Sequence, residues 1–265
     1  ILGDDGVASM QAAFDVVAQV GKDVVRIATA ASSIEHGAFL GSKNADEASQ
    51  LAHASKAAAL MADELVDDGK PLTDSTEASH SEMSISMSPH RLCRYAEGNE
   101  EATTSAREVF GAHVDSSFIT AVPVAAISGL EVYDEEAEKW YRPELKARFL
   151  WEEEQKSRGK DPSSLLDEIK DEVKIPWYCR YIAIMPGEYL QLATRDEVPA
   201  AVHRVVAAKG GHARLSAPIL LRGRPGTSFV PDRYLGGTLG HPLLEECNGK
   251  TMEEIHALTQ PSSFQ

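Results

Sequence analysis

Between residues 82 and 221 the chain repeatedly breaks into short apolar runs of strand length, divided by turn-forming residues. Met83, Ile85 and Met87 alternate with serines, a period of two. Strand-like runs follow at Arg91–Tyr95, Phe118–Val124, Gly129–Tyr133, Cys179–Met185, Tyr189–Leu192, Ala201–Ala207 and Ala213–Leu221. Many short strands without regularly alternating helices argue for an antiparallel sandwich or barrel over a parallel α/β sheet.

The region before this is different. Over Val7–Ala31, Met10, Phe14, Val17, Val20, Val24, Ile27 and Ala28 recur every three or four residues, with Asp15, Lys22, Asp23 and Arg26 off the stripe. That is the period of an amphipathic helix. A second helix fits Ala45–Val66, with Asn44 as cap, Glu47 at the capping-box position and Gly69 beyond its end. Stripes of this kind usually pack as scaffold. Residues 70–80 read as a linker. Pro143–Val173, dense in Glu, Lys and Arg, reads as two helices inserted between strands, with its charge facing solvent. After Arg224 the chain looks irregular, with a short closing helix at Met252–Leu258. The expected organisation is a helical region at 1–80 packing on a core at 81–232, with an insertion at about 143–174 and a tail at 233–265.

Composition narrows the partners. A formal net charge of -15 repels phosphate backbones, so no nucleic-acid partner is expected. Any site for a small acid must then be built from particular Arg or Lys residues. Three widely spaced cysteines, Cys93, Cys179 and Cys247, form no CxxC, which fits a reducing intracellular, cytoplasmic setting. An organelle is the other setting, had a transit peptide been removed. Residues 1–6 lack a signal peptide's basic region, and the start at Ile1 reads as a trimmed or divergent one. No apolar run is long enough for a bilayer, so no membrane partner is expected. Oligomeric state is left open.

The chemistry-bearing residues lie within the strand region. In a strand, residues i and i+2 share a face, so His113 and Asp115 converge while Val114 points away. Two such ligands and a distant histidine make the facial triad of a non-haem Fe(II) site, which leaves open positions on the metal. His203, inside an apolar strand-like stretch, supplies the histidine. Arg214 and Ser216, about ten residues further on, again share a face. A guanidinium fork and a hydroxyl can hold a carboxylate. Singly, each feature has a plainer explanation: a polar strand end, a core histidine, a surface arginine. The order HxD, His, RxS is far more specific. Rival motifs fail: Asn248-Gly249-Lys250-Thr251 ends like a phosphate loop, but Leu244 stands at its first glycine position, and there is no GxSxG or HExxH. His36, His53, His80, His90, His212, His241 and His256 show no ligand-type spacing.

In this order and spacing the chain resembles the 2-oxoglutarate/Fe(II) dioxygenases, and most nearly their isopenicillin N synthase-like subgroup. The resemblance covers Arg91 to Pro225, roughly half the chain. It rests on Arg91–Tyr95, His113–Thr120, Gly129–Val132 with Trp140, Pro186–Gln191, Val202–Val205 and Arg214–Ser216. It implies an α+β protein with a double-stranded β-helix (jelly-roll) core. It implies Fe(II) held by His113, Asp115 and His203, and 2-oxoglutarate held at its C5 carboxylate by Arg214 and Ser216, with Tyr95 assisting. It implies O2 as oxidant, ascorbate as an auxiliary reductant, and a small organic substrate hydroxylated or desaturated with release of succinate and CO2. An iron oxidase of the same fold that does not use 2-oxoglutarate, and an inactive binding protein, are the alternatives. Cys93 stands where the subgroup usually has Asn, Glu188 where it usually has Asp, and the insertion lengthens the gap between ligands.

Overall fold

The computed structural model describes residues 3–37, 46–70, 86–95, 108–161, 166–168, 174–207, 213–237 and 241–259. Helices α1 (Asp4–Glu35) and α2 (Glu47–Leu65) lead. Strands β1 (Cys93–Tyr95), β2 (Glu108–His113), β3 (Ile119–Pro123), β4 (Leu130–Asp134) and β5 (Lys139–Tyr141) precede helix α3 (Pro143–Ser157). Then come β6 (Leu166–Glu168), β7 (Lys174–Pro176), β8 (Ile182–Pro186), α4 (Glu188–Ala193), β9 (His203–Val206), β10 (Arg214–Ser216) and β11 (Ile219–Leu221). Short helices α5 (Pro231–Tyr234), α6 (Pro242–Cys247) and α7 (Met252–Thr259) close the chain.

All described strand pairs are antiparallel. One sheet runs β11-β3-β8 and another β2-β9-β4-β5, with β1-β10 and β6-β7 as separate pairs. The alternation of side chains along β3 and β11 explains how the layers stack. Ile119, Ala121, Ile219 and Leu221 face the helices and join a core with Phe14, Val17, Val25, Met61 and Leu65. Thr120, Val122 and Leu220 face the other way, into a cavity also lined by Leu130, His203 and Val205 of the second sheet. Val122, Met185, Leu130 and Val132 fill the rest of the space between the sheets.

Several details differ from the sequence reading. The buried face of α1 is Phe14, Val17, Ala18, Gly21, Val25, Thr29 and Ser32, while Ile27 is 72% exposed. Small residues there let the helix lie against the sheet. Lys22, off the apolar stripe, is nonetheless buried and paired with Asp63 at 2.9 Å and Asp68 at 3.3 Å. Helix α2 is capped by Asp46, which accepts from the Ser49 amide at 2.7 Å. Asn44, the expected cap, lies outside the described residues, as do Met83 and Ile85. Tyr189–Leu192 is helix, not strand. Tyr189, Leu190, Leu192 and Ala193 are buried together, a spacing of one, three and four that only a helix places on one side. Among the described residues of 143–173 there is one helix, α3, where two were expected. Gly159, at φ +68, ends α3, and the β6-β7 pair follows. Residues 213–221 form two strands, divided at Ala217-Pro218, where proline cannot donate to a ladder. The closing helix stands where the sequence places it.

Candidate metal centre

His113 and His203 are cross-strand partners on β2 and β9, with ring centroids 4.2 Å apart. Asp115 stands just past the end of β2, in the turn into β3, so it reaches the site from a turn and not from strand parity alone. That turn is tightly held. The Asp115 carbonyl accepts from the amides of Ser117 at 2.9 Å and Glu188 at 3.0 Å. Gly187 lies so close that a Cβ there would sit 2.7 Å from the Asp115 carbonyl and 2.3 Å from that of Ser117.

Asp115 aims one carboxylate oxygen at each imidazole: Oδ1 is 3.6 Å from His113 Nε2 and Oδ2 is 3.5 Å from His203 Nε2. One ligand atom from each of the three residues lies within 4.8 Å of the other two. Ligands about 2.1 Å from a metal on adjacent octahedral vertices would be about 3 Å apart, so the spacing suits a single ion. The imidazole tautomers suit it too. His113 Nδ1 lies 2.9 Å from the Gly111 carbonyl, and His203 Nδ1 lies 2.9 Å from the Ala201 carbonyl. Carbonyls only accept, so each Nδ1 carries the hydrogen and each Nε2 keeps its lone pair for a metal. Thr120 donates to Asp115 Oδ2 at 2.6 Å, which orients the carboxylate.

The electrostatics follow. Burial opposes the charge on Asp115, but His113, His203 and the Thr120 hydroxyl together hold its carboxyl below the usual range. Burial keeps His203 neutral more readily than a free histidine. For His113, burial is outweighed by the Asp115 contact and the Gly111 carbonyl, and its pKa is raised. Two imidazoles, one carboxylate and an open approach fit Fe(II) better than a closed structural zinc site.

Tyr95, Arg214 and Ser216 line the same cavity, of about 250 Å³. Tyr95 and Arg214 are register partners on β1 and β10, with the guanidinium 5.2 Å from the ring centre. Arg214 and Ser216 are buried while Leu215 between them is exposed, as their spacing predicts. All six residues singled out by sequence therefore border one space. One participant was missed. Glu144, at the start of α3, pairs with Arg214 at 2.6 Å, and each side chain is only 2% exposed. Nothing in sequence spacing links residues 144 and 214. Gly129 makes room for this pair: a Cβ there would sit 2.7 Å from Arg214 Cδ. His256 has a partner that spacing does not disclose; it bonds Tyr189 Oη at 2.6 Å, outside the cavity lining.

Comparison by sequence finds no matching family and no matching curated protein. Comparison by structure does find matches. A full-length Neurospora crassa protein, solved with alpha-KG and 5-formyluracil, aligns over 96% of this chain and 60% of its own, at 14% identity and a TM-score of 0.51. The dioxygenase for auxin oxidation 1 of Arabidopsis thaliana, solved with 2-oxoglutarate, aligns over 58% and 45% at 19% identity and 0.38. The rice dioxygenase for auxin oxidation aligns over 78% and 53% at 14% identity and 0.38. The chain thus spans between 45% and 60% of the length of these three proteins. The alignment with the Neurospora crassa protein runs through nearly all of this chain, and the two share a fold. Among the described residues, no helix is long and apolar enough to cross a membrane.

Proposed function

We propose that the chain is a non-haem Fe(II)- and 2-oxoglutarate-dependent oxygenase that hydroxylates or desaturates a small organic substrate. The observation that carries the reading is the convergence of His113, Asp115 and His203 in one cavity with Arg214, Ser216 and Tyr95. The two facing sheets support a jelly-roll core of the isopenicillin N synthase-like kind within 81–232, with region 1–80 packing on it.

When bound, iron couples O2 reduction to conversion of 2-oxoglutarate to succinate and CO2 and to oxidation of the substrate. The chain's own contribution is to hold and orient. His113 and His203 offer Nε2 because their Nδ1 hydrogens are committed to carbonyls. Asp115 supplies the third ligand, steadied by Thr120. Arg214 and Ser216 anchor the C5 carboxylate, with Tyr95 beside them. Val122, Leu130, Met185 and Leu220 give the cavity apolar walls, which limit water around a reactive centre.

The test is direct. Protein supplied anaerobically with Fe(II) should bind about one equivalent, and His113→Ala or His203→Ala should abolish binding. With O2, ascorbate and 2-oxoglutarate the wild type should release succinate slowly even without substrate. Iron binding without any dependence on 2-oxoglutarate would move the protein to the iron-oxidase alternative. Absence of metal binding would reject both.

A further inference from the structure

Arg214 is the residue the proposed function assigns to the cosubstrate, yet it already has a carboxylate. Its Nη2 and Nε donate to Glu144 Oε1 at 2.6 and 3.2 Å. Two donors at one oxygen of a buried carboxylate form a strong, charge-assisted contact.

The two partners are unequally satisfied. Glu144 Oε2 accepts from the backbone amides of Gly129 at 2.6 Å and Leu130 at 3.1 Å. Its two oxygens therefore have separate tasks, one on the β4 end of the sheet and one on the arginine. Arg214 Nη1, by contrast, is buried with no hydrogen-bond partner among the described residues. Leaving a charged group's donor unmet in the interior is costly. This free Nη1 is where an entering carboxylate would first engage the guanidinium, beside the carboxylate it already holds. Release of Arg214 would cost Glu144 only one of its two oxygens, because the Gly129 and Leu130 amides keep hold of the other.

We propose that Glu144 is a resident counter-ion of Arg214, and that the C5 carboxylate of 2-oxoglutarate takes its place on the guanidinium, so that α3 sets the affinity of the site. This rests on the cosubstrate reading above. Glu144 then acts through Arg214 as a specificity-determining residue. In the ligand-free protein it neutralises an arginine that would otherwise be a buried unpaired charge. It also holds weakly binding acids off the site, since an entering anion must outcompete a carboxylate already there.

Glu144→Gln tests this with Mn(II) in place of Fe(II) and 2-oxoglutarate as the probe, measured by calorimetric titration. The glutamine carbonyl oxygen can keep the Gly129 and Leu130 amides. Its NH2 group then faces Arg214, where two donors cannot bond, and the guanidinium is released. Removing a like charge a few Å from the incoming carboxylate should tighten 2-oxoglutarate binding by about tenfold or more. The variant should also be less heat-stable than wild type without 2-oxoglutarate and gain more stability on adding it. An unchanged or weaker Kd would overturn the proposal. A readout independent of the variant is the structure of the wild-type Mn(II)–2-oxoglutarate complex. There the Arg214–Glu144 contact should be opened, and its retention at the present 2.6 Å would overturn the proposal as well. If 2-oxoglutarate binds wild type but is indifferent to residue 144, only this inference falls. If it binds neither protein, the cosubstrate reading falls and takes this inference with it.

Discussion

Gly187→Ala adds a single methyl group, and its cost can be worked from the structure. The backbone at Gly187, with φ −108 and ψ −178, is extended and open to any residue, so conformational strain contributes nothing. The obstacle is space. The new Cβ would stand 2.3 Å from the Ser117 carbonyl oxygen, 2.5 Å from Ser117 Oγ and 2.7 Å from the Asp115 carbonyl oxygen. A methyl carbon needs more than about 3 Å from each. Two of the three atoms are backbone, so relief requires moving the 115–117 turn or the start of α4. These are joined by backbone hydrogen bonds: the amides of Gly187, Glu188 and Tyr189 donate to the carbonyls of Phe118, Asp115 and Ser117 respectively. Overpacking of this kind costs about 3 kcal/mol, or a melting temperature lower by about 6–12 °C. The same displacement carries the Asp115 carboxylate away from His113 and His203. Mn(II) affinity should therefore fall by about tenfold or more, as when the support of a ligand is lost. Gly111→Ala is the control. It lies two residues from His113, but no atom lies within 4 Å of its new Cβ, so stability should change by less than about 0.5 kcal/mol. Scanning calorimetry and metal titration read both variants. Wild-type melting and wild-type metal affinity in Gly187→Ala would refute the claim that this contact positions Asp115.

Three further outcomes follow from particular contacts. Thr120→Val removes the hydroxyl that orients Asp115 with little change of shape, and Mn(II) binding should weaken by about tenfold while the fold persists. Burial pushes the Tyr189 phenol up to about 12. Its ionisation is thus harder in the folded state, so its stabilising contribution is intact below about pH 10 and is lost as pH rises from about 10 towards 12. Tyr189→Phe should flatten that stretch of the stability profile in denaturant titrations. Trp151→Ala empties a position that is 1% exposed and packs beside Trp177 and Ala147. It should cost about 3–5 kcal/mol, and a variant as stable as wild type would make α3 the loosely attached insertion that its charge suggests.

The sequence discloses what depends on short-range order. Strand parity foretells that Arg214 and Ser216 face inward and Leu215 outward. Helical period foretells α1 and α2, but not which way α1 is turned. Ile27 fits the apolar stripe and yet is exposed, because Ala18 and Gly21 are what allow close approach to the sheet: Leu221 Cδ1 would lie 2.2 Å from a Cβ at position 21. The period says that a helix has a face, and the partner's surface decides which one. Tyr189–Leu192 fails for a related reason. A short apolar run is ambiguous between strand and helix, and what decides it is Gly187, whose closeness to the Asp115 turn starts α4 there. The Glu144–Arg214 pair is beyond sequence altogether. Residue 144 reads as one of many surface acids on a charged helix, and only tertiary packing turns it inward beneath the arginine. That pair also changes what the RxS motif means. The motif signals a carboxylate site, but it cannot say whether the arginine waits empty-handed. Here it does not, and under the proposal above the affinity of the site would be a difference between two carboxylates competing for one guanidinium.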